Sequence, residues 1–382
     1  MKADEIEEAV AWRHDLHRHP ELAFEEHRTA DFVARMLASF GLKVSTGLAG
    51  TGVVGTLTRG SSGRSIGIRA DMDALPIEEL GAAPYKSLHP GKMHACGHDG
   101  HVTMLLAAAR ACAESGQFDG TVHFIFQPAE ESEGGGRRMV EDGLFKSFSC
   151  DAVYGLHNWP SLPVGSCVAR DTAMMAALGI FEIVIEGRGS HGAMPHEGVD
   201  PIVAACELGA SLQTVVSRNV SPLEPAVVSI TQIHAGDTWN VIPANCTLRG
   251  TTRWFDNAVG DLIETRLTAL ANSVADGFGC KATIHYERRY PPTINDPAEA
   301  AFIRSVASAQ DGIRVEDVAP SMASEDFAFM LEARPGCYLW LGSGRTGSDP
   351  GLHSPYFDFN DEIIPLGVDL WRRVVETKLA VA

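Results

Sequence analysis

The sequence predicts an α/β protein: a mostly parallel sheet flanked by helices, with a ferredoxin-like α+β unit inserted into it. Three observations carry that expectation. Short apolar, β-branched runs alternate with helical stretches in the first part of the chain. A middle stretch changes rhythm to β-α-β-β-α-β. A late strand-like run, Cys337 to Gly342, then resumes the first pattern.

Ile6, Val10 and Leu16, then Phe32, Val33, Met36 and Leu37, give helical spacing from Glu5 to Phe40, interrupted at Pro20. Gly41 suits a C-cap. Val53 to Leu57, Ser65 to Ala70, Thr121 to Gln127 and Ala152 to Leu156 read as strands, the third stopped by Pro128. His101 to Glu114, rich in Ala and Leu, reads as a buried helix. In the middle stretch, Phe181–Ile185, Val227–Ile233, Asn245–Trp254 and Lys281–Tyr286 read as strands, and Pro201–Val216 and Ala258–Phe278 as helices. Gly179 and Pro291-Pro292 suit hinges at its ends. The expected division is a discontinuous domain, 1–178 and 293–382, with an insert at 179–292.

With 382 residues, 45% hydrophobic and 21% charged, the chain has ordinary globular composition. Lys and Arg total 31 against 49 Asp and Glu, a formal charge of −18. That sign argues against duplex nucleic acid and anionic membranes as partners, though not against small anionic substrates. No apolar run reaches the roughly 18 residues a membrane span needs. The acidic opening Met1 to Glu8 has no secretory pattern. The eight cysteines are scattered without a CxxC pair, so a reduced, cytoplasmic protein is expected.

Groups able to hold metal fall where strands end. Asp71-Met72-Asp73, Glu130-Glu131 and His157 each follow a strand, Cys96 and His98 precede a helix, and His353 lies about ten residues past the last strand. Open α/β sheets bind ligands beyond the carboxyl ends of their strands, so these segments meet at one edge. Cys96 and His98 are two apart and can both point at one ion only from an irregular loop, which Gly97 allows. Thiolate and imidazole suit Zn²⁺, Co²⁺ or Ni²⁺, and carboxylates also admit Mn²⁺. Of two adjacent carboxylates in a turn, one can ligate while the other serves as a general base.

These residues resemble the dimetal amidohydrolases of the aminoacylase–carboxypeptidase metallopeptidase family, in the branch of the hippurate and indole-acetyl-amino-acid hydrolases. The matching strings include His14-Asp15-Leu16-His17-Arg18-His19-Pro20-Glu21-Leu22, Arg69-Ala70-Asp71-Met72-Asp73-Ala74-Leu75-Pro76, Met93-His94-Ala95-Cys96-Gly97-His98-Asp99-Gly100-His101 and Gln127-Pro128-Ala129-Glu130-Glu131. Further matches are Gly155-Leu156-His157, Gly189-Ser190-His191-Gly192-Ala193-Met194-Pro195-His196, Ser324-Glu325-Asp326-Phe327 and Leu352-His353-Ser354-Pro355.

The resemblance implies two divalent ions per subunit, of Mn, Zn, Co or Ni, held by Cys96, His98, Glu131, His157 and His353. It makes Glu130 the general base and Asp73 the acid that orients a ligand. Asp71 stands where relatives carry a histidine, and His98 is expected to supply the missing imidazole. The insert resembles a lid and dimerisation domain. His191 would steady the oxyanion in a neighbouring subunit, and Asn240 and Arg253 would bind the substrate carboxylate. The implied activity is hydrolysis of N-acyl amino acids by a homodimer or higher oligomer. The alternatives are a dipeptidase, a dedicated deacetylase such as one for acetyl-diaminopimelate, or a metal-free binding module.

Overall fold

The computed structural model describes residues 1–131, 133–345, 347 and 349–381. The chain forms two compact units. One comprises Met1–Met174, Thr293–Ala319 and Asp326–Ala382, and the other Met175–Pro292 with Pro320–Glu325.

The first unit is built on an eight-stranded sheet. Across it the strands run Lys43–Leu48, Gly52–Arg59, Gly120–Gln127, Ser65–Asp71, Ala152–Pro163, Gly336–Gly344, Ser166–Val168 and Arg314–Val315. The four central strands are mutually parallel. Antiparallel pairings appear only toward the two sides. The central strands are buried almost end to end. A parallel sheet covered on both faces reads this way, as continuous apolar runs rather than alternation. The helix His98–Ser115 packs on this sheet with Val102, Leu105, Leu106 and Ala109 fully buried. Each large aliphatic side chain so buried contributes about 1.5–3 kcal/mol.

Parallel register aligns the carboxyl ends. Asp71 pairs with Gln127, and His157 pairs with Trp340. Asp71 and Gln127 end their strands, with loops leaving at Met72 and Pro128, whereas His157, expected just after a strand, lies inside one, because pairing with Gly336–Gly344 carries that strand on to Pro163. The two N-terminal helices are Ala3–Arg18 and His27–Ser39, and Gly41 follows the second at φ 84°.

The second unit has a four-stranded antiparallel sheet, Ala226–His234, Asn245–Trp254, Ala177–Glu186 and Lys281–Tyr290 in spatial order. Helices Pro201–Thr214 and Asn257–Gly277 pack against it. Its chain order is β-α-β-β-α-β and its strand order is ferredoxin-like. Strand Ala177–Glu186 alternates strictly, with Phe181, Ile183 and Ile185 in the core. That period-two pattern is what a sheet with one covered face requires. The short segment Pro320–Glu325 joins this unit because Ala176 N donates to Ser321 O and Ala323 O.

All eight cysteines are free thiols, and only Cys206 is exposed. Among the described residues no helix is long and apolar enough to cross a membrane.

Candidate metal centre

Local sequence places each donor. Gly97, at φ 96°, ends the loop before helix His98–Ser115. A Cβ there would lie 2.3 Å from Asn158 Oδ1, so both its conformation and its space demand glycine. The bend turns Cys96 and His98 toward the same edge. Ala129, at φ 55°, and His353, at φ 64°, are also left-handed, although neither is glycine. Such conformations persist where surrounding structure enforces them, and they concentrate at functional sites.

Three overlapping groups of donors gather in the first unit. Asp71, His98, His101 and His157 offer atoms within 4.8 Å of one another. So do His98, Glu130 and Glu131, and so do Cys96, Glu131 and His353. Cys96 Sγ lies 3.3 Å from His157 Nε2, which links the groups into one cluster. His353 Nε2 lies 3.0 Å from Glu131 Oε1 and is the most exposed of the set.

Hydrogen bonds fix how the imidazoles face. A carbonyl can only accept, so His157 Nδ1 carries its hydrogen toward Asn158 O at 2.8 Å, and Nε2 is left toward Cys96. His98 Nδ1 likewise donates to Asp73 O at 2.9 Å, with Asp73 Oδ1 at 3.2 Å. His98 Nε2 is buried and has no hydrogen-bond partner. His101 is different. Its Nδ1 meets Asp71 Oδ1 at 2.6 Å, and its Nε2 accepts the Asn158 N–H at 3.0 Å, so both nitrogens are engaged. Asp71 is also engaged at both oxygens, since Oδ2 accepts from Arg69 Nη1 at 2.8 Å. Asp71 and His101 thus have their polar atoms engaged within the cluster, whereas His98 Nε2 has no hydrogen-bond partner and His157 Nε2 faces the Cys96 thiol.

The electrostatics suit a cation. Burial opposes charge on His98, yet Asp71 and Asp73 beside it push its pKa up to about 10. Burial alone would raise Asp71, but His98, Arg69 and His101 hold it well below the carboxylate range. Burial, with Glu131, Glu130 and Asp71 close by, drives the Cys96 thiol well above its usual range. Divalent cations would reverse the last effect, because a coordinating thiol is deprotonated outright. An unpartnered buried imidazole nitrogen, a thiol and several carboxylates in one cluster fit divalent metal.

Glu130 is buried, and its Oε1 receives the Asp326 N–H at 3.3 Å. Asp326 is itself held by Arg69, by Gln127 and by the Gly136 N–H. Asp73 Oδ2 receives the Glu131 N–H at 2.9 Å.

The remaining sequence-derived candidates lie in the second unit. His191 sits on a two-residue ribbon, Ser190–His191 paired with Val241–Ile242, and is exposed. Gly192 N donates to Asn240 O at 2.7 Å, so Asn240 lies beside it. Arg253, on strand Asn245–Trp254, donates from Nη1 to Ser324 Oγ at 3.0 Å.

Sequence reasoning missed His101, Arg69 and Asn158 as parts of this cluster. Two of them carry a signal. His101 lies three residues after His98 on one helix, hence on the same face. Arg69 lies two before Asp71 on one strand, hence also on the same face.

Residues 67–377 match the model of peptidase family M20/M25/M40. The chain is 41% identical over 354 residues to the hippurate hydrolase of Campylobacter jejuni, covering 92% of this chain and 91% of that one. It is 40% identical over 356 residues to the N-acetyl-L-cysteine deacetylase of Bacillus subtilis, covering 93% and 84%. A crystal structure of a dinuclear metal-binding peptidase of the M20 family from Bacillus subtilis superimposes with a TM-score of 0.87, at 32% identity, over 100% of both chains. By sequence and by fold, this chain belongs to peptidase family M20/M25/M40.

Proposed function

We propose that this M20 enzyme hydrolyses the amide bond of N-acyl amino acids, with two divalent ions in the cluster around Cys96. The observation that carries this reading is the buried His98 Nε2 without a hydrogen-bond partner and the His157 Nε2 facing the Cys96 thiol, set beside the two adjacent carboxylates. Cys96, His98, Glu131, His157 and His353 would hold the ions. When bound, such ions polarise an amide carbonyl and lower the pKa of the attacking water.

Glu130 is the proposed general base. It takes the proton of the attacking water and returns it to the leaving amine. Asp73 orients His98 through Nδ1 and braces the Glu131 backbone, so one carboxylate steadies two ligands. Arg253 offers a planar fork for the free carboxylate of the amino-acid product, with Asn240 as its companion. His191, in a homodimer, stabilises the developing oxyanion in the neighbouring copy.

Benzoyl and acetyl groups, as in the hippurate and N-acetylcysteine of the relatives, are the acyl groups to try first. The protein is stripped with chelator and then supplied singly with Mn²⁺, Zn²⁺, Co²⁺ or Ni²⁺. Amine release is followed from hippurate, N-acetyl amino acids, dipeptides and their methyl esters. Metal-dependent release from the free N-acyl acids, with poor turnover of the esters, is expected. Preference for dipeptides would move the reading to a dipeptidase. Equal turnover of acids and esters would remove Arg253 as the carboxylate anchor. Sedimentation tests the dimer: a fully active monomer contradicts the role of His191 in a neighbouring site.

A further inference from the structure

Four described residues other than glycine adopt left-handed backbone: Phe24, Ala49, Ala129 and His353. Two of them hang on a single atom. Glu26 Oε1 accepts the Phe24 N–H at 3.0 Å and the Ala129 N–H at 2.9 Å. Its other oxygen, Oε2, accepts from Thr51 Oγ1 at 2.6 Å. Glu26 is fully buried, as is Ala129, and lies 103 residues away from it in sequence.

We propose that Glu26 is a positioning residue for Glu130: its carboxylate holds Ala129 in the left-handed conformation that aims the Glu130 side chain at the substrate. The inference rests on the reading of Glu130 as general base. Ala129 immediately precedes Glu130, and its φ of 55° costs an alanine what it would not cost a glycine. Two residues on, the Glu131 N–H is received by the buried Asp73 carboxylate. Glu26 and Asp73 therefore clamp the residues on either side of Glu130. The far side of the turn is equally tight, since Gly135 N donates to Ala129 O at 2.9 Å and Gly135 has no room for a Cβ against Pro128 O. Without Glu26, the Ala129 N–H loses its buried acceptor and the backbone turns toward the right-handed region. Glu130 then moves relative to the bond it serves. A misplacement of about 1 Å costs on the order of a hundredfold in rate.

The test compares four variants with the metal-loaded parent on its best N-acyl amino acid. Glu26→Ala is expected to lose on the order of a hundredfold in kcat. Its KM should stay within about threefold and its bound metal at the parental stoichiometry, because Glu26 touches neither substrate nor donors. Glu26→Gln keeps an oxygen for both N–H groups and presents its amide to Thr51 Oγ1, so kcat should stay near parental. Adding Ala129→Gly to Glu26→Ala should recover at least about threefold in kcat, because glycine adopts the turn without help. If Glu26→Ala does not fold, Glu26→Asp replaces it, with the same loss and the same rescue expected. Parental kcat in Glu26→Ala or Glu26→Asp, or a loss of metal that accounts for the whole effect, overturns the proposal. Glu130→Gln is measured in parallel. Parental turnover there overturns the base assignment itself, a result distinct from any seen at Glu26.

Discussion

In the first unit, His98 and His157 each have Nδ1 tied to a backbone carbonyl, and the carboxylates Asp71 and Asp73 are held by Arg69, His101 and the Glu131 N–H. In the second unit, His191 stands exposed on a two-residue ribbon, and its Nδ1 accepts the nearby Ala193 N–H at 3.1 Å. The two regions hold polar groups in opposite ways. Most of these buried groups are satisfied from within, because an unpaired polar atom away from water costs about 1–3 kcal/mol. Their positions are therefore set before any ligand arrives. Exposed groups are satisfied by water, so their geometry awaits a substrate or a second subunit. Preorganisation is thus a property of the metal cluster, and adaptability of the insert.

Asp71→Ala should show the largest effect. It removes one of the two buried carboxylates paired with Arg69, Asp326 being the other, and leaves the His101 Nδ1–H without its Asp71 acceptor. A destabilisation of about 3–5 kcal/mol is expected, the usual cost of breaking a buried pair. Urea unfolding of the metal-free protein checks it. A loss below about 1 kcal/mol would show that the cluster is not rigidly braced.

Glu130→Gln comes next. It should keep its metal and lose at least about a hundredfold in turnover, the lower range for a general base. Metal analysis beside initial rates separates that outcome from simple loss of the ions.

Glu26→Gln sharpens the comparison through pH. Burial, with Asp73 nearby, raises the Glu26 carboxyl from 4.5 to about 7, although Thr51 and the Ala129 N–H oppose the shift. Between those values the folded protein holds this proton and the unfolded chain does not. Stability therefore falls as pH rises through that window. The glutamine variant escapes the penalty. Its stability should gain on the parent's by on the order of 2 kcal/mol between pH 5 and pH 8, read by urea unfolding at both. A difference that does not change with pH would mean the carboxyl is not perturbed.

The smallest expected effect lies in the insert. Arg253→Ala should raise KM for free-acid substrates about tenfold and leave methyl esters unchanged, as loss of one charged hydrogen bond predicts. Stability should shift by less than about 1 kcal/mol. An equal effect on acids and esters would show that Arg253 serves the fold rather than the carboxylate.

Much of the fold was legible along the chain. The split β-α-β-β-α-β order follows from period-two and helical spacing alone, and strand Asn245–Trp254 runs as expected. Short strands such as Ser166–Val168 and Arg314–Val315 were not legible. Two or three residues show no period, and such strands exist because a neighbour offers hydrogen bonds. Helices Pro297–Ser308 and Ile364–Lys378 also went unread, although Asp296 caps the first through the Ala298 N–H. For the site, residue type and placement after strands identified the cluster around Cys96 as metal-capable. The tautomers of His98 and His157 were not legible, because they depend on which carbonyl meets Nδ1.

The kind of chemistry is written in the chain: thiol, imidazole and carboxylate are covalent features, and strand–helix alternation already points to a mostly parallel sheet that gathers them. Tertiary structure alone decided the division of labour within it. Asp71 and His101 pair with each other, and Glu26 reaches Ala129 across 103 residues, because only packing determines which buried atoms have partners and which are left facing the site.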